Sequence, residues 1–171
     1  AKRPSSLRLL TGVEISSSPL PSLMDSGTFH ILGYGIDTED PAINDALKTL
    51  RNARTDRNPR IISRLNALGF DLTMAEVLQS NTDNDQIGRP HIARMMVEKG
   101  YATSINDAFD RHLAVGKPAY VDKYRMACEE AISTIRRAGG IAVLAHPYLL
   151  KLRENVALEE LVVALKSMGL E

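Results

Sequence analysis

The chain has 171 residues, 44% hydrophobic and 25% charged, which is the balance of an ordinary globular domain and excludes a disordered or low-complexity protein. Its 21 basic and 21 acidic side chains cancel, so bulk charge recruits neither a nucleic acid nor an anionic membrane. No apolar run approaches the roughly 20 residues that span a bilayer, residues 1–6 lack the apolar centre of a signal peptide, and a single cysteine excludes an internal disulfide, so a reducing, cytoplasmic setting is expected.

Residues 9–15 and 29–36 are short, rich in Leu, Ile and Val, and bounded by Gly, Ser and Pro, which predicts two strands, the first of them buried. SSSPLPSLMDSGT between them is turn-rich and long for a hairpin. From Pro41 the apolar period becomes helical, with Ile43, Ala46, Leu47 and Leu50, then Ile61, Ile62, Leu65 and Leu68, predicting one long helix or two in line that stop at Gly69. A short helix over 74–79 is capped by Thr73, with Glu76 completing a capping box. Another opens at Arg89 or Pro90, runs to Glu98 and ends at Gly100.

Ser104 is a good cap for a helix over 105–113, on which His112 is expected to be exposed among charged neighbours. The loop LAVGKPAYV follows. A helix is expected over about 123–138, with Cys128 as a buried structural thiol on its apolar face, ended by Gly139 and Gly140. IAVLAH reads as a strand buried on both faces, and 158–168 as a closing amphipathic helix. The order, strand, strand, a long helical stretch, then helix, strand, helix, predicts an α/β core formed by 1–43 and 125–171, interrupted by a helical insertion over 44–124.

Three metal-capable side chains fall at or beside strand ends: Glu14, His30 and His146. Each alone has an ordinary structural explanation, a solvated carboxylate or a hydrogen-bonded imidazole. Together, one carboxylate and two imidazoles are a ligand set that Zn, Mn or Fe accepts while keeping positions open for water and substrate.

The segments LTGVEIS, FHILGYGID, IGRPHIARMMVEKGY, GKPAYV and GGIAVLAHP, in this order, resemble the PHP (polymerase and histidinol phosphatase) domain phosphoesterases. The branch most resembled removes phosphate from nucleoside 3',5'-bisphosphates and trims RNA 5' ends. The resemblance implies part of a distorted β/α barrel, a mostly helical insertion covering the active site, and two or three divalent metal ions, Mn, Zn or Fe. Carried over by motif, Glu14 bridges two metals, and His30 and His146 complete the second metal's protein ligands. Arg89 falls where the family holds the substrate phosphate at a helix start, and a guanidinium fork beside free helix amides suits that task. His91, on the first turn of the same helix, reads equally as a phosphate contact or a packing residue. Lys117, between Gly116 and Pro118, reads as a point charge for the substrate or as a surface lysine.

The implied activity is hydrolysis of phosphate esters, with a small phosphorylated substrate, a nucleotide or short oligonucleotide, as partner and no stably bound nucleic acid or membrane. The family's His-any-His, Thr-Asp-His and Ser-Asp-any-His motifs are absent, so this chain is expected to be incomplete, to hold metal poorly and to be inactive alone. Pro147, Tyr148 and Leu149 stand where relatives carry a Gly-Arg pair, which bears on the substrate. The alternative reading is a degenerate PHP module that binds metal or nucleotide without catalysis; a helical interaction domain explains less, because it leaves Glu14, His30 and His146 without a role.

Overall fold

The computed structural model describes residues 8–25, 29–81 and 87–171; residues 1–6, read above for a signal peptide, and the end of the first loop, 26–28, lie outside them. By its internal contacts the chain divides into two compact units, 1–50 with 125–171, and 51–124.

The first unit is built on a three-stranded antiparallel sheet, β1 (Gly12–Ser16), β2 (His30–Tyr34) and β3 (Ile141–Leu144), in that spatial order. Glu14 pairs with Leu32 and Ser16 with His30 across β1 and β2, while Leu32 pairs with Val143 across β2 and β3. Because side chains alternate, Val13, Ile15, Ile31, Gly33, Ala142 and Leu144 share one face and Glu14, Ser16, His30, Leu32 and Val143 the other. The first face is closed by α5 (Cys128–Arg137), whose Ala131, Ile132 and Ile135 are buried with Ile15, Ile31 and Ala142. A Cβ on Gly33 would come within 3.0 Å of both Val13 and Ile135, so glycine is what lets α5 lie this close to the sheet. Glu129 and Glu130 at the start of α5 and Arg136 and Arg137 at its end complement the helix dipole. Leu161 and Leu165 of α6 (Leu158–Ser167) complete this core.

Three expectations are corrected here. The first strand begins at Gly12, and Leu9 and Leu10 are 61% and 70% exposed, because β2 ends at Tyr34 and the chain turns at Gly35, whose φ is +71°, so the cross-strand bonding ends with Gly35 N–H on the Thr11 carbonyl and Leu9 and Leu10 lie beyond it. β3 is not buried on both faces: it is paired on one side by β2, and Ile141 is 53% exposed on the face opposite α5. The helix expected from about residue 123 starts at Cys128, because Met126 instead donates its N–H to the Ser16 carbonyl and accepts from Ser18 N–H, prolonging the sheet edge.

Helix α1 (Pro41–Ala67) starts where the Asp40 carboxylate accepts the Ile43 N–H ahead of Pro41, and ends where Gly69 turns left-handed at φ +91°. Ile43, Ala46, Leu47 and Leu50 of its first half pack in the first unit's core, and Ile61, Ile62 and Leu65 in the second unit's. The second unit is otherwise α2 (Met74–Gln79), α3 (Arg89–Glu98) and α4 (Ile105–Ala108), around Val77, Ile92, Met96 and Leu113. Thr73 and Glu76 form the capping box of α2, and Ser104 accepts the Asp107 N–H at the start of α4.

The helix over 105–113 is α-helical only to Ala108; Phe109–Leu113 widens to a π-helical turn, closed by the Ala114 N–H on the Phe109 carbonyl. The His112 carbonyl there accepts Ala119 N–H and the Leu113 carbonyl accepts Arg89 Nη1, so carbonyls left without helical partners are satisfied. Among the described residues no helix is long and apolar enough to cross a membrane.

Candidate metal centre

Glu14, His30 and His146 lie far apart in the chain and come together at one end of the sheet. β1 places Glu14 on the face opposite α5, and β2 places His30 on the same face beside it. His146 follows β3 after Ala145, whose N–H donates to the His30 carbonyl, which ties the two histidine segments together. The Glu14 Oε1 and His30 Nδ1 atoms are in direct contact; His30 Nδ1 is 3.0 Å from His146 Nε2, and His146 Nε2 is 3.3 Å from Glu14 Oε1.

Three donors around a first-row dication at about 2.1 Å are about 3.4 Å apart in a tetrahedron, so the two longer separations are those of a ligand set. The donor chemistry agrees, one anionic oxygen and two imidazole nitrogens, suited to Zn, Mn or Fe. The carboxylate is half exposed while the imidazoles are more covered, so the cluster has an open side towards solvent. His146 has φ +29° and ψ 63°, a left-handed conformation that a residue with a Cβ adopts at a cost, and such strain gathers at functional positions. Its Nδ1 is buried without a hydrogen-bond partner among the described residues, leaving Nε2 as the nitrogen aimed at Glu14 and His30.

The remaining predicted residues belong to the second unit. Arg89 opens α3; its guanidinium donates to the Leu113 carbonyl at 2.9 Å and stands 5.7 Å and 5.2 Å from the ring centres of Phe109 and Tyr120. His91 Nδ1 accepts the Gly88 N–H at 3.0 Å and so caps its own helix. Lys117 is exposed on a turn held by its N–H on the Ala114 carbonyl. His112, expected to be exposed, is instead half-buried, its ring edge-on to Phe70 with centroids 4.8 Å apart, because ring packing, not solvation, sets its place. Cys128 is buried as expected. Sequence reasoning passed over Ser16, whose hydroxyl lies 3.1 Å from His30 Nε2; its place two residues after Glu14 on one strand was the available signal.

No model of a known protein family matches the chain. Over 138 residues, 81% of its length, it is 35% identical to a 3',5'-nucleoside bisphosphate phosphatase of Chromobacterium violaceum, covering 47% of that protein. Over 141 residues, 82% of its length, it is 36% identical to the 5'-3' exoribonuclease Rnm of Salmonella typhimurium, covering 46% of it. A solved structure from Bifidobacterium adolescentis, assigned as a metal-dependent phosphoesterase, superposes with a TM-score of 0.78 at 28% identity, over 96% of this chain and 56% of that one. The chain thus spans about half the length of the curated relatives it matches. Over the stretch it spans, the mixed helix and strand fold and the sequence are similar to those of these phosphate-ester hydrolases.

Proposed function

We propose that this chain carries part of a metal-dependent phosphoesterase site that hydrolyses phosphate esters of nucleotides or short oligonucleotides. The observation that supports it most is the convergence of Glu14 Oε1, His30 Nδ1 and His146 Nε2 within ligand distance of one another. A dication held by these three groups supplies a water acidic enough to ionise near neutral pH and withdraws charge from a phosphoryl oxygen. Glu14 brings the negative charge that a cation needs and faces the solvent from which a substrate arrives. His30 and His146 contribute neutral donors, so the set stays compatible with an anionic substrate.

In the second unit, Arg89 and Lys117 are the groups suited to hold a phosphate, Arg89 by its fork at a helix start and Lys117 as a point charge. With one ring nitrogen spent on the Gly88 N–H, His91 has its other nitrogen to offer an anion. The likeness to these relatives and the PHP resemblance of the motifs support a distorted β/α barrel as the setting of the sheet, two or three metals drawn from Mn, Zn and Fe in the complete site, and a cytoplasmic location.

The test is phosphate release from a nucleoside 3',5'-bisphosphate with added Mn²⁺, run beside isothermal titration of Mn²⁺ and Zn²⁺ into the same protein, with Glu14→Gln and His146→Ala as comparisons. Saturable metal binding that both substitutions weaken, with release that follows metal occupancy, is the expected result. Metal binding indifferent to both substitutions would sink the proposal.

A further inference from the structure

Ser16 and His30 are directly opposed across β1 and β2, and the serine hydroxyl lies 3.1 Å from His30 Nε2, the ring nitrogen other than the one that meets Glu14 and His146. Ser16 is buried, so the contact is sheltered from competing water. An imidazole that gives one nitrogen to a metal carries its proton on the other, and the group that accepts this proton fixes both the tautomer and the aim of the ring.

We propose that Ser16 is a positioning residue of the candidate metal centre: its Oγ accepts a hydrogen bond from His30 Nε2–H and thereby presents the Nδ1 lone pair to the cation. The inference rests on the metal reading above and adds to it a residue that touches no metal. Strand geometry builds the device in. Glu14 and Ser16 are two residues apart on one face of β1, so one strand supplies both the carboxylate and the group that orients the imidazole beside it.

His146 has no equivalent. Its Nδ1 is buried without a partner among the described residues, and its place is set by the backbone, through the left-handed turn and the Leu149 N–H on its carbonyl. The two histidines are therefore aimed by different means, His30 by a side chain and His146 by its main chain.

The test uses protein labelled with 15N-histidine and saturated with Zn²⁺, read by long-range proton–nitrogen correlation. In the unmodified protein the expected spectrum has His30 metallated at Nδ1 and protonated at Nε2, with the Nε2 proton exchanging slowly. Ser16→Ala should make that proton exchange fast and weaken Zn²⁺ binding by about 10-fold or more, and Ser16→Thr, which keeps the hydroxyl, should restore both. A spectrum of the unmodified protein with Nε2 on the metal would overturn the proposal without any variant, which decides the matter if Ser16→Ala fails to fold. So would an alanine variant with unchanged exchange and affinity. His30→Ala separates the two levels: if it binds Zn²⁺ like the unmodified protein, the metal reading falls and the Ser16 role with it. If His30→Ala loses binding and Ser16→Ala does not, only the Ser16 assignment falls.

Discussion

Cys128 illustrates how position decides the chemistry of a side chain. Burial, helped by the nearby Glu129 carboxylate, pushes its thiol up to about 12, so it stays protonated and unreactive at neutral pH. A thiol held above its ordinary value adds stability that is fully present below about pH 8.5 and is lost as pH climbs towards the folded value. Alkylation by iodoacetamide at pH 8 should therefore be slow in the native protein and fast in urea, and equal rates would place the thiol at the surface. His112 shows the opposite sign. Burial, reinforced by Arg111 and partly offset by Asp107, holds its imidazole below the usual value, and neither ring nitrogen has a partner among the described residues. The neutral ring favours the fold above about pH 6.5, and that contribution drains away as pH falls below it through the lower folded value. The urea midpoint should drop with acid from about pH 6.5 in the unmodified protein. A His112→Phe variant should hold its midpoint until carboxylates protonate below about pH 4.5, among them Glu76, which Lys99 and then Thr73 hold below its ordinary value. Parallel curves for the two proteins would remove His112 as the acid-sensitive group.

The helices announce themselves because their signals are local. Thr73 and Glu76 cap α2 from three residues apart, and Thr73→Ala should cost about 1 kcal/mol in urea unfolding, a loss below about 0.3 kcal/mol showing that the cap is idle. Ser104 and Gly100 mark helix ends in the same way, through a hydroxyl on a backbone amide and a left-handed turn. Strand limits were less legible, because they depend on partners elsewhere in the chain: Leu9 and Leu10 are as apolar as a strand needs but β2 stops short of them, and Met126 leaves the helical pattern to pair with Ser17. The widening at Phe109–Leu113 had no sequence signal we can name, since the residues are compatible with an α-helix. The candidate ligands Glu14, His30 and His146 were legible as residue types at strand ends, but their meeting at one point was implied only by resemblance. His30 and His146 stand 116 residues apart, and no periodicity links them. Register is what gathers the face: sliding β1 by one residue against β2 would turn Glu14 and Ser16 onto the side of α5 and Ile15 into solvent.

The two units have separate cores, Ile15, Ile31 and Ile135 in one, Leu65, Ile92 and Met96 in the other. A ligand that binds only the folded form protects the unit that holds it. Saturating Zn²⁺ should therefore slow amide hydrogen exchange in β1, β2 and β3 by at least about tenfold, with a smaller change in α2 and α3, and the effect should vanish in Glu14→Gln. Uniform slowing that survives Glu14→Gln would place the ion elsewhere.

The left-handed backbone at His146 sets two kinds of selection against each other. Glycine takes that conformation at no steric cost, so the replacement that the local backbone favours is also the one that deletes a donor from the cluster. His146→Gly should leave thermal stability unchanged or raise it, while metal binding collapses. Selection for stability alone would favour glycine at this turn, so under the proposed function the demands of folding and of ion binding oppose each other at a single position.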